Sequence, residues 1–167
     1  KINPEPWQTD TSIGDWYYTR NWKFRPVSWN IHMLADIVSK NGNLLLNIVQ
    51  RPDGSLDDEV VQALEEMATW IAVHGEAIYG TRPWTVYGEG PVRAKGGQFK
   101  EDFAYTAQDI RFTCRNDTLY ATCLGWPGER VTIKSLGALY EGEIQSVRML
   151  GADQELEWSL SRAGLTV

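Results

Sequence analysis

The run Leu44-Leu45-Leu46-Asn47-Ile48-Val49 limits what this chain can fold into more than any other feature. A strand with one wet face alternates apolar and polar residues. This run is broken only by Asn47, so it predicts a strand over 43–50 covered on both faces, the habit of parallel strands in α/β proteins. Arg51-Pro52-Asp53-Gly54 follows, with proline and glycine where a β-turn favours them. A helix is expected from near Leu56 or Asp57, because Asp57, Asp58 and Glu59 suit the positive end of a helix dipole. Val60, Val61, Leu64, Met67, Ala68 and Ile71 make its apolar stripe, and His74-Gly75 ends it.

Upstream, residues 1–26 are polar and aromatic, with Pro4, Pro6 and Pro26 and no helical period. Trp7 to Ile13 reads as a short strand running into a loop from Gly14 to Arg25. Ser28 is the expected N-cap of the next helix, its hydroxyl accepting a free backbone N–H. Ile31, Leu34, Ile37 and Val38 recur at helical spacing, and Gly42 is expected to end the helix in the left-handed conformation. The first half therefore reads strand, helix, strand, helix, with parallel strands and right-handed crossovers.

After Trp84 the pattern changes. Residues 85–97 are rich in glycine and turn residues, and short β-like runs follow at 103–106, 109–115, 118–125, 130–135, 144–149 and 155–160. Turn signals such as Asn116-Asp117, Pro127-Gly128 and Gly151-Ala152 separate several of them, which predicts an antiparallel β-sandwich. The domain boundary is expected at 85–90. With Asp117-Thr118 at a hairpin tip, Cys114 faces Ala121 and Cys123 faces Phe112. Their Cα atoms would then be about 7 Å or more apart, too far for an easy disulfide. Two parallel strands do not close a sheet, and a (β/α)8 barrel needs about 250 residues. The expectation is a segment of a larger chain, beginning late in an α/β barrel and ending inside a sandwich.

A net charge of −6 argues against a phosphate-binding surface, and no apolar run approaches the ~20 residues of a membrane span. Eight tryptophans stand out, with Trp7, Trp16, Trp22 and Trp29 in the first thirty residues beside Tyr17 and Tyr18. Aromatic faces stack on the C–H-rich faces of sugars, though they also fill cores. His32 and His74 have no cysteine or carboxylate at ligand spacing, so neither a metal nor another cofactor is expected.

Four stretches carry a resemblance: PWQTDTSIGDWYY (6–18), NGNLLLNIVQRPDG (41–54), HGEAIYGTRPW (74–84), and YTAQDIRFT (105–113) with LYATCLGWP (119–127). In their order and spacing they resemble the α-L-fucosidases of glycoside hydrolase family 29. The resemblance implies the last part of a (β/α)8-like catalytic barrel over 1–86 and a C-terminal β-sandwich over 87–167. It also implies a retaining exo-hydrolase that removes terminal α-L-fucose from glycans. Its nucleophile in the family is an aspartate in a Trp-x-Asp-Gly-like phrase on an earlier strand, and no such phrase occurs here; the acid/base carboxylate is likewise expected upstream of Lys1. The implied partners are a fucosylated glycan and the N-terminal part of the barrel, with no nucleic acid and no membrane.

Trp16 is the first candidate for substrate binding, since it aligns with an aromatic that lines the family's fucose pocket, after Ser12-Ile13-Gly14. Asp10, near the end of the same predicted strand, suits a sugar hydroxyl or the orienting of a neighbour. Gln8 stands where many members have glutamate; its amide cannot exchange a proton usefully, which leaves it a supporting amide. Trp7 completes the candidate set. His74 replaces a common asparagine, and Asp53 is accounted for by its turn. Two rival readings are a non-catalytic carbohydrate-binding module and a structural module without ligand.

Overall fold

A computed structural model describes residues 1–93 and 104–167. The first half folds as strand β1 (Trp7–Ser12), helix α1 (Val27–Ser39), strand β2 (Gly42–Asn47) and helix α2 (Asp58–His74). β1 and β2 pair in parallel, from Trp7 opposite Gly42 to Ser12 opposite Asn47. Element order and strand direction are those the sequence predicts, while several local devices differ.

α1 starts at Val27, so Ser28 lies inside the first turn and is not the cap. Pro26 precedes the helix at φ −57° and ψ 147°, and its carbonyl accepts from the N–H groups of Trp29 and Asn30. The fixed proline φ organises this start without a side-chain cap. At the far end Asn41, and not Gly42, takes the left-handed conformation, with φ 72°. Asparagine tolerates that region when its side chain bonds locally, and here the Asn41 amide donates to the Asn3 and Pro4 carbonyls at 3.1 and 3.4 Å. Gly42 serves packing instead: a Cβ there would lie 2.7 Å from the Ile37 side chain and from the Trp7 indole.

β2 stops at Asn47 and is not covered on both faces. Asn43 and Leu45 are exposed, Leu45 by 55 %. One face packs on α1; no layer among the described residues covers the other. An apolar run supports a parallel strand, but it does not supply the second layer. Of the stripe predicted on α1 only Ile37 is buried. Ile31, Leu34 and Val38 are half-buried, and the inward face carries Asn30, Met33 and Asp36 instead, because α1 packs on β2 and also on strands β3 (Arg82–Glu89) and β4 (Ile110–Arg115). On α2 the inward stripe runs through Val60, Ala63, Leu64, Met67 and Ile71. Val61, about 100° around the helix from Val60, is 40 % exposed, and Ala68 is exposed as well.

In the second half β3, β4 and β5 (Thr118–Cys123) form an antiparallel sheet in that order; β6 (Thr132–Ile133), β7 (Ser159–Ser161) and β8 (Gly164–Thr166) form another in the order β6-β8-β7. Ile110 and Phe112 of β4 meet Ile133, Leu136 and Leu165 in one core, and Trp84 sets its ring edge-on to Phe112 at 5.3 Å. β3 occupies part of the stretch read as turns; residues 94–97 of that stretch lie outside the described residues. Its glycine marks a close approach, not a turn: a Cβ on Gly88 would lie 2.2 Å from the Ile110 carbonyl oxygen.

The run at 103–106 lies partly outside the described residues, and 104–106 are irregular. Residues 144–149 form no strand beyond an isolated bridge between Arg148 and Glu155, although Ile144 and Val147 pack on the core. The 130–135 run shortens to β6 followed by a 3-10 turn, and 155–160 to β7. In the β4–β5 hairpin the tip is Asn116-Asp117, with Arg115 opposite Thr118 and Asn116 at φ 52°. Cys114 therefore faces Leu119, and Cys123 faces Ile110. This is a two-residue shift, which keeps both sulfurs on the expected face, and both thiols are free and half-buried.

The two halves are joined by charge. Asp36 of α1 accepts from Arg111 Nε of β4 and from Lys40 Nζ, each at 2.5 Å, with the Asp36 and Arg111 side chains only 7 % and 2 % exposed. Arg111 also donates to the carbonyls of Ile110 and Glu89. Removing one member leaves a buried charge unmatched, whereas an apolar pair of similar volume avoids that cost. Asp36→Ala is expected to lose about 3–5 kcal/mol in urea unfolding. Asp36→Leu combined with Arg111→Met is expected to lose less than Asp36→Ala alone.

Candidate functional site

Paired residues of parallel strands share a side of the sheet, so Gln8, Asp10 and Ser12 stand with Asn43, Leu45 and Asn47 on the face that α1 does not cover. Gln8, Asp10, Asn43 and Leu45 are exposed on it. Polarity therefore runs along an open face, from Gln8 at the start of β1 to Ser12 and Asn47 at the C-terminal ends of both strands.

At those ends the side chains bond one another. The Ser12 hydroxyl donates to the Asp15 carbonyl at 2.5 Å, and the Asn47 amide donates to the Ser12 oxygen at 3.1 Å. The Ile13 N–H reaches the Asn47 carbonyl at 3.1 Å, and Arg25 N–H returns to the Ile13 carbonyl at 2.8 Å. Asp15 Oδ1 in turn accepts the Trp16 N–H at 2.7 Å. Gly14 is required beneath the Trp22 ring, where a Cβ would come within 2.7 Å. The loop that carries Trp16 is thus tied to both strand ends.

Trp16 sits beyond the end of β1 and is 43 % exposed, next to Tyr17 at 81 %. Gln8 and Asp10 share the open face of β1. Trp7 does not join them: it lies on the α1 side at the start of β1, its indole N–H donating to the Lys40 carbonyl at 3.0 Å and its ring against Gly42. Trp29 carries the Arg25 guanidinium 4.0 Å from its ring centroid. The four early tryptophans therefore divide among packing, stacking and exposure and do not form one cluster. Ser12, Asp15 and Asn47 escaped the sequence reading, although Asn47 alone interrupts an apolar run, and that interruption was the available signal.

A second polar cluster lies beneath α1. The Arg111 guanidinium is 4.9 Å from the Tyr105 ring centroid and 5.5 Å from that of Tyr87, and His32 meets Tyr105 edge-on at 5.7 Å. Burial, helped by the nearby Asp36 charge, pushes the Tyr105 hydroxyl above its ordinary range. Burial and the Arg111 charge push His32 below its ordinary value. Asp109, fully buried, accepts from the N–H groups of Val92 and Thr106 and from the Thr106 hydroxyl at 2.8–2.9 Å. These groups hold chain to chain. Among the described residues no group of three or more His, Cys, Asp or Glu is placed to hold a metal ion.

A parallel strand–helix unit with an open polar face, followed by antiparallel sheets on a shared core, defines a two-part α/β and all-β protein. Residues 1–76 match the family model described as alpha-L-fucosidase, and residues 103–167 match that of the alpha-L-fucosidase C-terminal domain. The chain belongs to the α-L-fucosidase family. It is 33 % identical over 138 residues to an alpha-L-fucosidase of Branchiostoma floridae, covering 82 % of this chain and 27 % of that protein. It is 31 % identical over 174 residues to the tissue alpha-L-fucosidase of Bos taurus, covering 98 % and 33 %. The crystal structure of Thermotoga maritima alpha-fucosidase in complex with fucose superposes with a TM-score of 0.79 at 27 % identity, covering 99 % of this chain and 36 % of that one. The chain thus spans about a third or less of the length of these curated relatives.

The depressed His32 yields a pH dependence. Its folded value lies below the ordinary 6.5, so the unfolded chain binds the proton more readily. Its contribution to stability is complete above the unfolded value and is lost as pH falls through the folded one. Unfolding midpoints measured at about pH 7.5 and about pH 5.5 are expected to differ less for His32→Gln than for the parent chain.

Proposed function

We propose that this chain is the C-terminal portion of a retaining exo-α-L-fucosidase that releases terminal α-L-fucose from glycans. On this reading residues 1–86 are the last part of a (β/α)8-like barrel and residues 87–167 are an antiparallel β-sandwich. β3 spans that division while hydrogen-bonding within the second half. The observation that carries the reading is the uncovered face of β1 and β2, with Leu45 55 % exposed amid Gln8, Asp10 and Asn43. A strand pair of this kind needs further strands to complete its layer, and barrels of this class set their chemistry at the C-terminal ends of the strands, where Trp16 stands.

The division of labour follows from the reaction. A retaining glycosidase uses two carboxyl groups about 5–5.5 Å apart, one as nucleophile and one as acid and then base. The resemblance sets both outside this chain, so its own residues serve binding. Trp16 provides an apolar wall for the C6 methyl of fucose. Asp10 accepts a hydrogen bond from a sugar hydroxyl or orients a neighbour, and the Gln8 amide can donate and accept but not transfer a proton. The glycan and the N-terminal part of the barrel are the proposed partners.

The purified 167-residue chain is expected to release no p-nitrophenol from an aryl α-L-fucoside, and activity is expected only when it is supplied with the preceding barrel portion. Turnover by the chain alone would overturn the assignment of the carboxylates. Absence of activity in the combined protein, with folding verified, would overturn the fucosidase reading.

A further inference from the structure

We propose that Asn47 and Ser12 are positioning residues for the fucose pocket, acting through the Trp16 loop; this rests on the assignment of Trp16 as a pocket wall. An aromatic wall is useful only if its backbone is held, and here the holding is done by two side chains from two strands. The Ser12 hydroxyl, on a residue 4 % exposed, is the hub. It donates to the Asp15 carbonyl at 2.5 Å, accepts from the Asn47 amide at 3.1 Å, and lies 3.4 Å from the Gly14 N–H that points to it.

The Asn47 amide also reaches the Asp15 carbonyl directly, at the longer distance of 3.5 Å. Asp15 passes the constraint on, because its carboxylate holds the Trp16 N–H at 2.7 Å. A leucine or isoleucine at 47 would continue the apolar run, but it would remove the shorter of the two donors to the Ser12 oxygen and leave only the Gly14 N–H. Polar networks of this kind fix one arrangement when they are satisfied. The asparagine that breaks the hydrophobic pattern is therefore assigned to the site and not to the core.

The test uses the intact enzyme containing this segment, with Trp16→Ala, Asn47→Ala and the double variant compared for kcat, KM on an aryl α-L-fucoside and inhibition by free fucose. Trp16→Ala is expected to weaken fucose inhibition about tenfold or more, and Asn47→Ala about threefold to tenfold, with the larger change in KM and not in kcat. The double variant is expected to be no weaker than Trp16→Ala, since the amide acts only through that ring. Ser12→Ala serves as the second variant should Asn47→Ala fail to fold, and Ser12→Thr, which keeps the hydroxyl, is expected to restore binding. If the double variant loses the product of the two single losses, or Asn47→Ala leaves fucose inhibition unchanged, the positioning role is overturned while the Trp16 assignment stands. If Trp16→Ala itself changes nothing, the pocket assignment falls and this proposal with it.

Discussion

The rest of the structure depends on a charge pair taken out of water. Stripping a carboxylate and a guanidinium of solvent costs several kcal/mol each, and the loss is offset only when geometry and remaining hydrogen bonds are good. Asp36 and Arg111 meet that condition because Lys40 shares the carboxylate while two backbone carbonyls take other guanidinium protons. Every element needed to satisfy Arg111 must be in place together: α1 for Asp36, β3 for the Glu89 carbonyl, and the aromatic rings of Tyr87 and Tyr105 alongside. The helix of the parallel half and the strands of the antiparallel half are thereby parts of one cooperative joint.

Around that joint further contacts repeat the theme of long-range stitching. The Thr113 hydroxyl donates to the Ala77 carbonyl at 2.7 Å, tying β4 to the end of the α2 region. The Glu89 carboxylate accepts the N–H groups of Lys134 and Ser135 at 2.9 and 2.6 Å, capping the 3-10 turn Lys134–Leu136 from a different sheet. Negative charge at the start of a helical turn is favourable because unpaired N–H groups point outward there. The sheets therefore share polar anchors as well as the Ile110 and Phe112 core.

Legibility in the sequence followed the range of the interactions concerned. The strand–helix–strand–helix order, the turn at Arg51 to Gly54, where the Gly54 N–H meets the Arg51 carbonyl at 2.9 Å, and the start of α2, expected near Leu56 or Asp57 and found at Asp58 with Asp57 as its N-cap, rest on neighbours a few residues apart, and they read correctly within a residue or two. Gly42 and Gly88 did not, because glycine has two meanings: permission for a positive φ, and permission for close approach. The side chains of Trp7 and Ile37 around Gly42 and the Ile110 carbonyl beside Gly88 show that the second applies. Asp36 on the inner face of α1 was hidden for the same reason, since its partner lies 75 residues away. At the candidate site the loop after β1 that carries Trp16 was legible, whereas the Ser12, Asp15 and Asn47 bonds needed the two strand ends to be brought side by side.

One face of the β1–β2 pair is buried on α1, and that burial already opposes a one-residue slip, which would turn the apolar side chains to the bare face. β1 and β2 are also pinned at both extremities: the Trp7 indole is latched over Gly42 and onto the Lys40 carbonyl at one end, and Ser12 is bonded to Asn47 at the other. A slide in either direction would unfasten both pins at once. The pair accordingly carries its own alignment, and any strand added to its edge inherits a template whose rungs are already fixed in place.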